Sequence, residues 1–237
     1  MTQPNAKIPS RLCARYAGVL YLIIIVCGIF SEVVVRSRFI VPNDAGATAG
    51  NILAAQPFFR LGFLADSVMI VADVAVAILL YVLFKTIHKT LSLAAAAFRL
   101  TQAAILGLNL LNYHAATLLV GGTVYAAGFQ SVPANSLALL FLDLHGHGYD
   151  LGLIFFGVAN IILGVLVVRS TGIPSLLGYG LIGAAVVYLL GSYTRFLFPA
   201  GLPYISPLYV IPLVAELSFC LWLLIKGMPE PGKASPV

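Results

Sequence analysis

RLGFLADSVMIVADVAVAILLYVLFK, Arg60 to Lys85, is apolar for long enough to cross a bilayer, yet it holds two aspartates. A transmembrane helix needs about 20 mostly apolar residues. Asp66 and Asp73 are seven positions apart, which on a helix sets them within about 20° of each other, on one stripe with Gly62 and Ala77. An ionisable group at the bilayer centre costs about 2.5 to 3.5 kcal/mol, so such a stripe turns towards other helices. The stretch therefore implies a bundle of membrane helices.

The rest of the chain supplies them. Of 237 residues, 61% are hydrophobic and 9% charged, against roughly 25% charged in an average soluble domain. Six spans are expected: Ala14 to Val35, Arg60 to Phe84, Leu91 to Gly121, Leu137 to Val168, Ser175 to Phe198 and Ile205 to Lys226. The fold class is all-α, an integral membrane bundle of six helices. Residues 1–13 read as a cytoplasmic N-terminal segment, 14–227 as the transmembrane domain, and the Pro-rich 228–237 as a disordered cytoplasmic tail. The first span lacks a small-residue cleavage site and is expected to stay attached.

Lysine and arginine set the orientation. An N-inside arrangement puts Lys7, Arg11, Arg15, Lys85, Lys89, Arg169, Lys226 and Lys233 on the inner side, leaving Arg36, Arg38 and Arg195 outside. Both termini are then cytoplasmic, in a bacterial inner membrane. The net charge of +5 follows from this topology and from lipid headgroups, so membrane lipids are expected partners and nucleic acid is not. Cys13, Cys27 and Cys220 form no C-x-x-C pair and read as free thiols.

The longest break, Arg36 to Phe59, holds NDAGATAGNILAAQP, where Asn43 or Asp44 can cap a short outer-surface helix carrying Ile52 and Leu53, with Pro57 as its stop. A weak repeat links the chain's two ends. Span one leaves through RFIVP and span five through RFLFP, and the spans that follow carry VAD (to Asp73) and VAE (to Glu216). This suggests parallel duplication of helix hairpins 1-2 and 5-6, a device that brackets mid-membrane sites in transporters; chance similarity of apolar strings is the alternative.

RLGFLADSVMIVADVAVAILLYVLFK, AAFRLTQAAILGLNLLN, LFLDLHGHGYDLGLIFFG and LVAELSFCLWLLIKG, in that order, resemble the bacterial polytopic membrane family catalogued as domain of unknown function 4386, from Arg15 to about Gly227. The resemblance implies a compact multi-helix membrane protein and brings no activity with it. Function has to be read from the polar residues.

In span three, Arg99, Gln102, Asn109 and Tyr113 share one side. Counting 1.5 Å per residue from the inner ends, Asp73 and Arg99 reach similar depths, which pairs them across the helices; Glu216 lies at a similar level. Glu32 reads as interfacial and Arg60 as snorkelling to headgroups. In span four, LDLHGHGYDLG puts Asp143, His147 and Asp150 on one seam, continued by Gly157 and Gly164, with His145 on nearly the opposite side.

Two readings of that stretch stand side by side. Gly146, Gly148 and Gly152 each weaken a helix by about 1 kcal/mol relative to alanine, so the helix can break there and expose backbone to a ligand. Alternatively the glycines permit close helix packing and the histidines bond neighbouring carbonyls. In the first reading Asp143 and His147, at i and i+4, could share a divalent metal as two histidines do in H-E-x-x-H, completed by Asp66, His114 or Glu216.

The expected substrate- or ion-binding set is thus Asp66, Asp73, Arg99, Gln102, Asn109, Asp143, His145, His147, Asp150 and Glu216, biased to the outer half, with no catalytic residue assigned. A proton-coupled transporter of a small solute or ion comes first, because buried acids and histidines can exchange protons. A metal-dependent membrane hydrolase or oxidoreductase acting on a lipophilic substrate, and a non-catalytic scaffold or accessory subunit, are the alternatives.

Overall fold

The computed structural model describes residues 10–120 and 134–227. The expected N-terminal segment before Ser10, the Gly-rich string after Val120 and the tail after Gly227 lie outside the described residues.

Seven helices account for most of that chain: α1 (Ser10–Ile29), α2 (Ala45–Ala54), α3 (Gln56–Phe84), α4 (Lys89–Val120), α5 (Ala134–Arg169), α6 (Ser175–Leu197) and α7 (Val210–Ile225). All but α2 belong to apolar segments long enough to cross a membrane; the first extends over Arg11–Phe39 and the last over Pro199–Ile225. The large apolar side chains left exposed, such as Val71, Leu108 and Leu111, suit lipid. The chain is built as a multi-pass membrane protein.

The six long helices close a ring, because each packs on its successor in the chain and α7 packs back on α1. The ends of α1 and α7 meet where Arg11 Nε donates to the Lys226 carbonyl at 3.4 Å. We call this end proximal and the other distal. Proximally the ring is filled: Ala17 and Tyr21 of α1, Leu80 and Phe84 of α3, Leu163 and Leu166 of α5, Leu181 of α6 and Phe219 of α7 form one buried apolar cluster. Glycine makes this closeness possible, since a Cβ on Gly164 would lie 2.7 Å from the carbonyl oxygen of Gly178 on α6.

Distally the helices depart from expectation in three places. Beyond Ile29 the first span continues through Phe30–Arg36 with π-helical winding, so Arg36 belongs to the helix and is buried; it is not an outer-loop residue. Asp44 caps α2 by accepting from the Ala47 N–H at 2.8 Å, but α2 ends at Ala54, and Pro57 lies in the first turn of α3. Proline is tolerated there because that N–H has no intrahelical partner to lose. Ile52 of α2 is wholly buried beside Val35, Phe59, Tyr113 and Leu142, so α2 plugs the distal end between helices.

The third departure is the helix break. α5 runs unbroken through Gly146, Gly148 and Gly152. Gly148 abuts the Asn109 side chain, and a Cβ on Gly152 would stand 2.8 Å from Leu106 Cδ2. These glycines let α5 and α4 approach, and burial against α4 offsets their low propensity.

Candidate functional site

A hollow of about 1270 Å³ occupies the distal and middle ring, lined by residues from all six spans. Its chemistry comes in layers because charged residues recur at one-to-two-turn intervals along the helices around it.

The middle layer is held by Arg36. Its Nη1 donates to Asp66 Oδ2 at 2.6 Å and its Nε to Glu32 at 2.7 Å. Ser31 donates to Asp66 Oδ1. π-Helical winding explains how the first span does this beyond α1: Ser31 and Arg36 are five apart, which an α-helix would set about 140° apart, whereas i→i+5 hydrogen bonding stacks them. His145 enters from α5, with Nδ1 3.2 Å from the Asn109 carbonyl and Nε2 3.5 Å from Arg36 Nη1. A carbonyl only accepts, so a proton sits on Nδ1; Nε2 faces a guanidinium that only donates, with Asp66 Oδ2 farther off at 3.9 Å, which favours the neutral ring. Asn109 returns the bond, its Nδ2 donating to the His145 carbonyl at 2.7 Å.

The floor lies two turns deeper. Arg99 of α4 places both Nε and Nη2 on a single oxygen of Asp73, Oδ1, at 2.6 and 2.5 Å. Its guanidinium lies between the rings of Tyr21 and Phe156, 5.0 and 4.9 Å from their centroids, so α1, α3, α4 and α5 all grip one side chain. Asp73 Oδ2 and Gln102 Oε1 are buried acceptors without a hydrogen-bond partner among the described residues. Glu216 of α7 also reaches the floor, where it takes a hydrogen bond from Asn160 Nδ2 at 3.0 Å and has no ion-pair partner among the described residues. A second cavity of about 10 Å³, the size of one water, touches Arg99 and Asn160 from the proximal side.

Near the mouth, Asp150 pairs with Arg195 of α6, and aromatic rings of α5, α6 and the α6–α7 connection form a wall: Phe156 to Tyr188 at 5.4 Å and Tyr188 to Tyr209 at 5.9 Å.

A family model described as "Domain of unknown function (DUF4386)" matches residues 16–227 of this chain. The chain belongs to that family. An uncharacterised protein of Archaeoglobus fulgidus is 30% identical over 159 residues, covering 67% of this chain and 79% of that protein. No solved structure matches. Family membership supplies no reaction, so in this DUF4386 protein the geometry alone ranks the residues.

That geometry gathers most of the residues named from sequence. Asp73, Gln102, Asp143, His145, Asp150 and Glu216 line the hollow. Asp66 and Arg99 stand behind Arg36 and Asp73, and Asn109 braces His145. His147 is the exception. It is partly exposed, its Nδ1 2.9 Å from the Asp143 carbonyl, with Phe196 beside its ring. The metal reading gains no third ligand: His147 Nδ1 and an Asp143 carboxylate oxygen stand 3.6 Å apart, a spacing two ligands of one ion can have, but no group of three His, Cys, Asp or Glu able to hold a metal forms among the described residues. His114 is exposed, and Asp66 and Glu216 bond elsewhere.

The seam assignment on α5 was half the picture. Asp150, Gly157 and Gly164 do face a neighbour, α6. His145, on the other flank, faces α4, α3 and α1, because α5 is packed between α4 and α6. Five contributors escaped sequence reading: Ser31, Arg36, Tyr188, Asn160 and Arg195. For Arg36 a signal existed, since Glu32 lies at i−4.

Proposed function

We propose that the protein is a proton-coupled carrier of a small solute in a bacterial inner membrane, with both termini cytoplasmic and the hollow opening towards the outer side. One observation carries this reading: the hollow reaches down to a carboxylate, Glu216, that makes no ion pair among the described residues. The floor acids differ in role. Asp73 is locked by a two-point contact with Arg99 and holds the helices. Glu216 is hydrogen-bonded only by neutral groups, the Asn160 amide and the Tyr188 hydroxyl, so it can exchange a proton with whatever fills the hollow. Beneath the floor lie a water-sized space and then the apolar cluster, a seal that has to open for solute to pass.

The test is proton flux in proteoliposomes bearing the full chain, challenged with a panel of amines, amino acids and organic acids under a pH gradient. At least one class should move protons, and Glu216→Gln should abolish the flux while leaving the elution profile in detergent unchanged. Absence of solute-evoked flux in the wild-type protein would remove the reading. Turnover of a membrane lipid without flux would transfer the hollow to an enzyme, and retention of cellular function in Glu216→Gln would favour a scaffold.

A further inference from the structure

The hollow has a charge of its own, opposite to that of the protein. Glu32, Asp73, Asp143, Asp150 and Glu216 line it together with Arg36 and Arg195; immediately behind stand Asp66 and Arg99. Six carboxylates thus face three guanidiniums, in a chain whose net charge is +5. The arginines are already matched: Arg36 by Asp66 and Glu32, Arg99 by Asp73, Arg195 by Asp150. The unmatched charge is carboxylate, at Glu216 on the floor and Asp143 near the mouth. His145 adds no positive charge in the tautomer that its partners select.

Two independent features say what such a space would hold. Among the orphaned polar atoms beside the hollow are two acceptors, Asp73 Oδ2 and Gln102 Oε1, on residues only 3% and 6% exposed; the orphaned donors there belong to Arg99 and Arg195, whose guanidiniums already meet Asp73 and Asp150. Those two acceptors lack donors. Tyr188 and Tyr209 present aromatic surface to the same space, alongside Ile24, Ile25 and Ile29 of α1, while the rings of Tyr149 and Phe156 already lie beneath Arg36 and Arg99. Ring faces attract cations, and apolar walls favour carbon over a hydrated ion. A bare divalent metal would need several oxygens around one point, and the described residues offer no such group.

We propose that the hollow binds an organic cation, a lipophilic amine or quaternary ammonium, with its charge at Glu216 and its apolar body against Tyr188, Tyr209 and the isoleucines of α1. This deepens the carrier reading and rests on it for the meaning of the hollow, but binding is measured apart from transport. An anionic amphiphile would meet arginines that are spoken for and carboxylates that repel it.

Equilibrium binding of three probes to the detergent-purified full chain tests this: ethidium, a fluorescent aromatic cation with amino donors, tetraphenylphosphonium, and its anionic counterpart of the same shape, tetraphenylborate. Saturable binding of ethidium and displacement by tetraphenylphosphonium are expected, with tetraphenylborate at least about tenfold weaker, as an unfavourable charge contact of about 1.4 kcal/mol would give. Glu216→Gln should weaken ethidium about tenfold, and Tyr188→Leu should weaken it with the carboxylate intact. Equal binding of anion and cation by the wild-type protein overturns the proposal without any variant, and so does full-strength ethidium binding in Glu216→Gln. Ethidium binding with no proton flux would keep this inference and defeat the carrier; flux evoked by an organic acid with no cation binding would do the reverse.

Discussion

The same six helices behave as two materials. In the proximal half they touch through glycine, alanine and leucine, down to a contact in which the Gly164 and Gly178 backbones face each other. In the distal half they stand off from one another around a space bridged by charged side chains. Lipid tails are as apolar as leucine, so the hydrophobic effect does not decide between the two arrangements inside a bilayer; close packing and polar contacts do. Small residues draw helices together, and long charged ones hold them apart at a fixed distance. The boundary between the two materials is the Asp73–Arg99 layer, which touches both.

The largest expected effect comes from breaking that boundary. Arg99→Leu strands Asp73 as an uncompensated buried carboxylate, and such a cut typically costs about 3 to 5 kcal/mol. The double replacement Asp73→Leu with Arg99→Met should recover most of the loss, since apolar residues of similar volume often match a buried pair in stability. Unfolding midpoints in detergent read both, and a double variant no better than Arg99→Leu would show that the layer is needed for packing itself.

Glycine substitutions sharpen the contrast at a smaller scale. Gly164→Ala pushes a Cβ to 2.7 Å from the Gly178 carbonyl oxygen, a backbone atom with nowhere to go, and overpacking of this kind costs about 1 to 3 kcal/mol. Gly107 on α4 has nothing within 4 Å of a built Cβ, so Gly107→Ala should instead gain about 0.5 to 1 kcal/mol from helix propensity. If both alanines shift the unfolding midpoint equally, the proximal half is looser than its contacts imply.

The proximal half was the more legible in sequence. Span lengths and the depths of Asp73 and Arg99 follow from rise per residue alone, and the expected ends of α3 and α6 fall within a few residues of the observed ones. The distal half hid itself for physical reasons. Arg36 and Arg195 stand at helix ends, where arginines ordinarily mark a loop, so they were counted towards topology when they are partners of Asp66 and Asp150. The π-helical turn that brings Ser31 beneath Arg36 leaves no mark in hydrophobic periodicity. Asn160 and Tyr188 sit among apolar neighbours with nothing to announce that both face the floor.

The histidines of HGHG show most directly why alignment of polar residues misleads within a membrane. His147 shares its seam with Asp143 and Asp150, and a metal pair was read from that spacing. Yet the side that matters is the one α4 covers, and the residues announcing it are Leu142, Gly152 and Phe156, buried on the same flank as His145. His147 keeps a bond to a carbonyl one turn back, an exposed carboxylate neighbour and an edge contact with Phe196, so His147→Ala should change stability by no more than about 0.5 kcal/mol, as surface substitutions do. His145→Ala removes the acceptor of Arg36 and the donor to Asn109, and unsatisfied buried groups cost about 1 to 3 kcal/mol. Two imidazoles two positions apart should therefore differ severalfold in effect, and a His147→Ala loss equal to that of His145→Ala would mean that both flanks of α5 belong to the site.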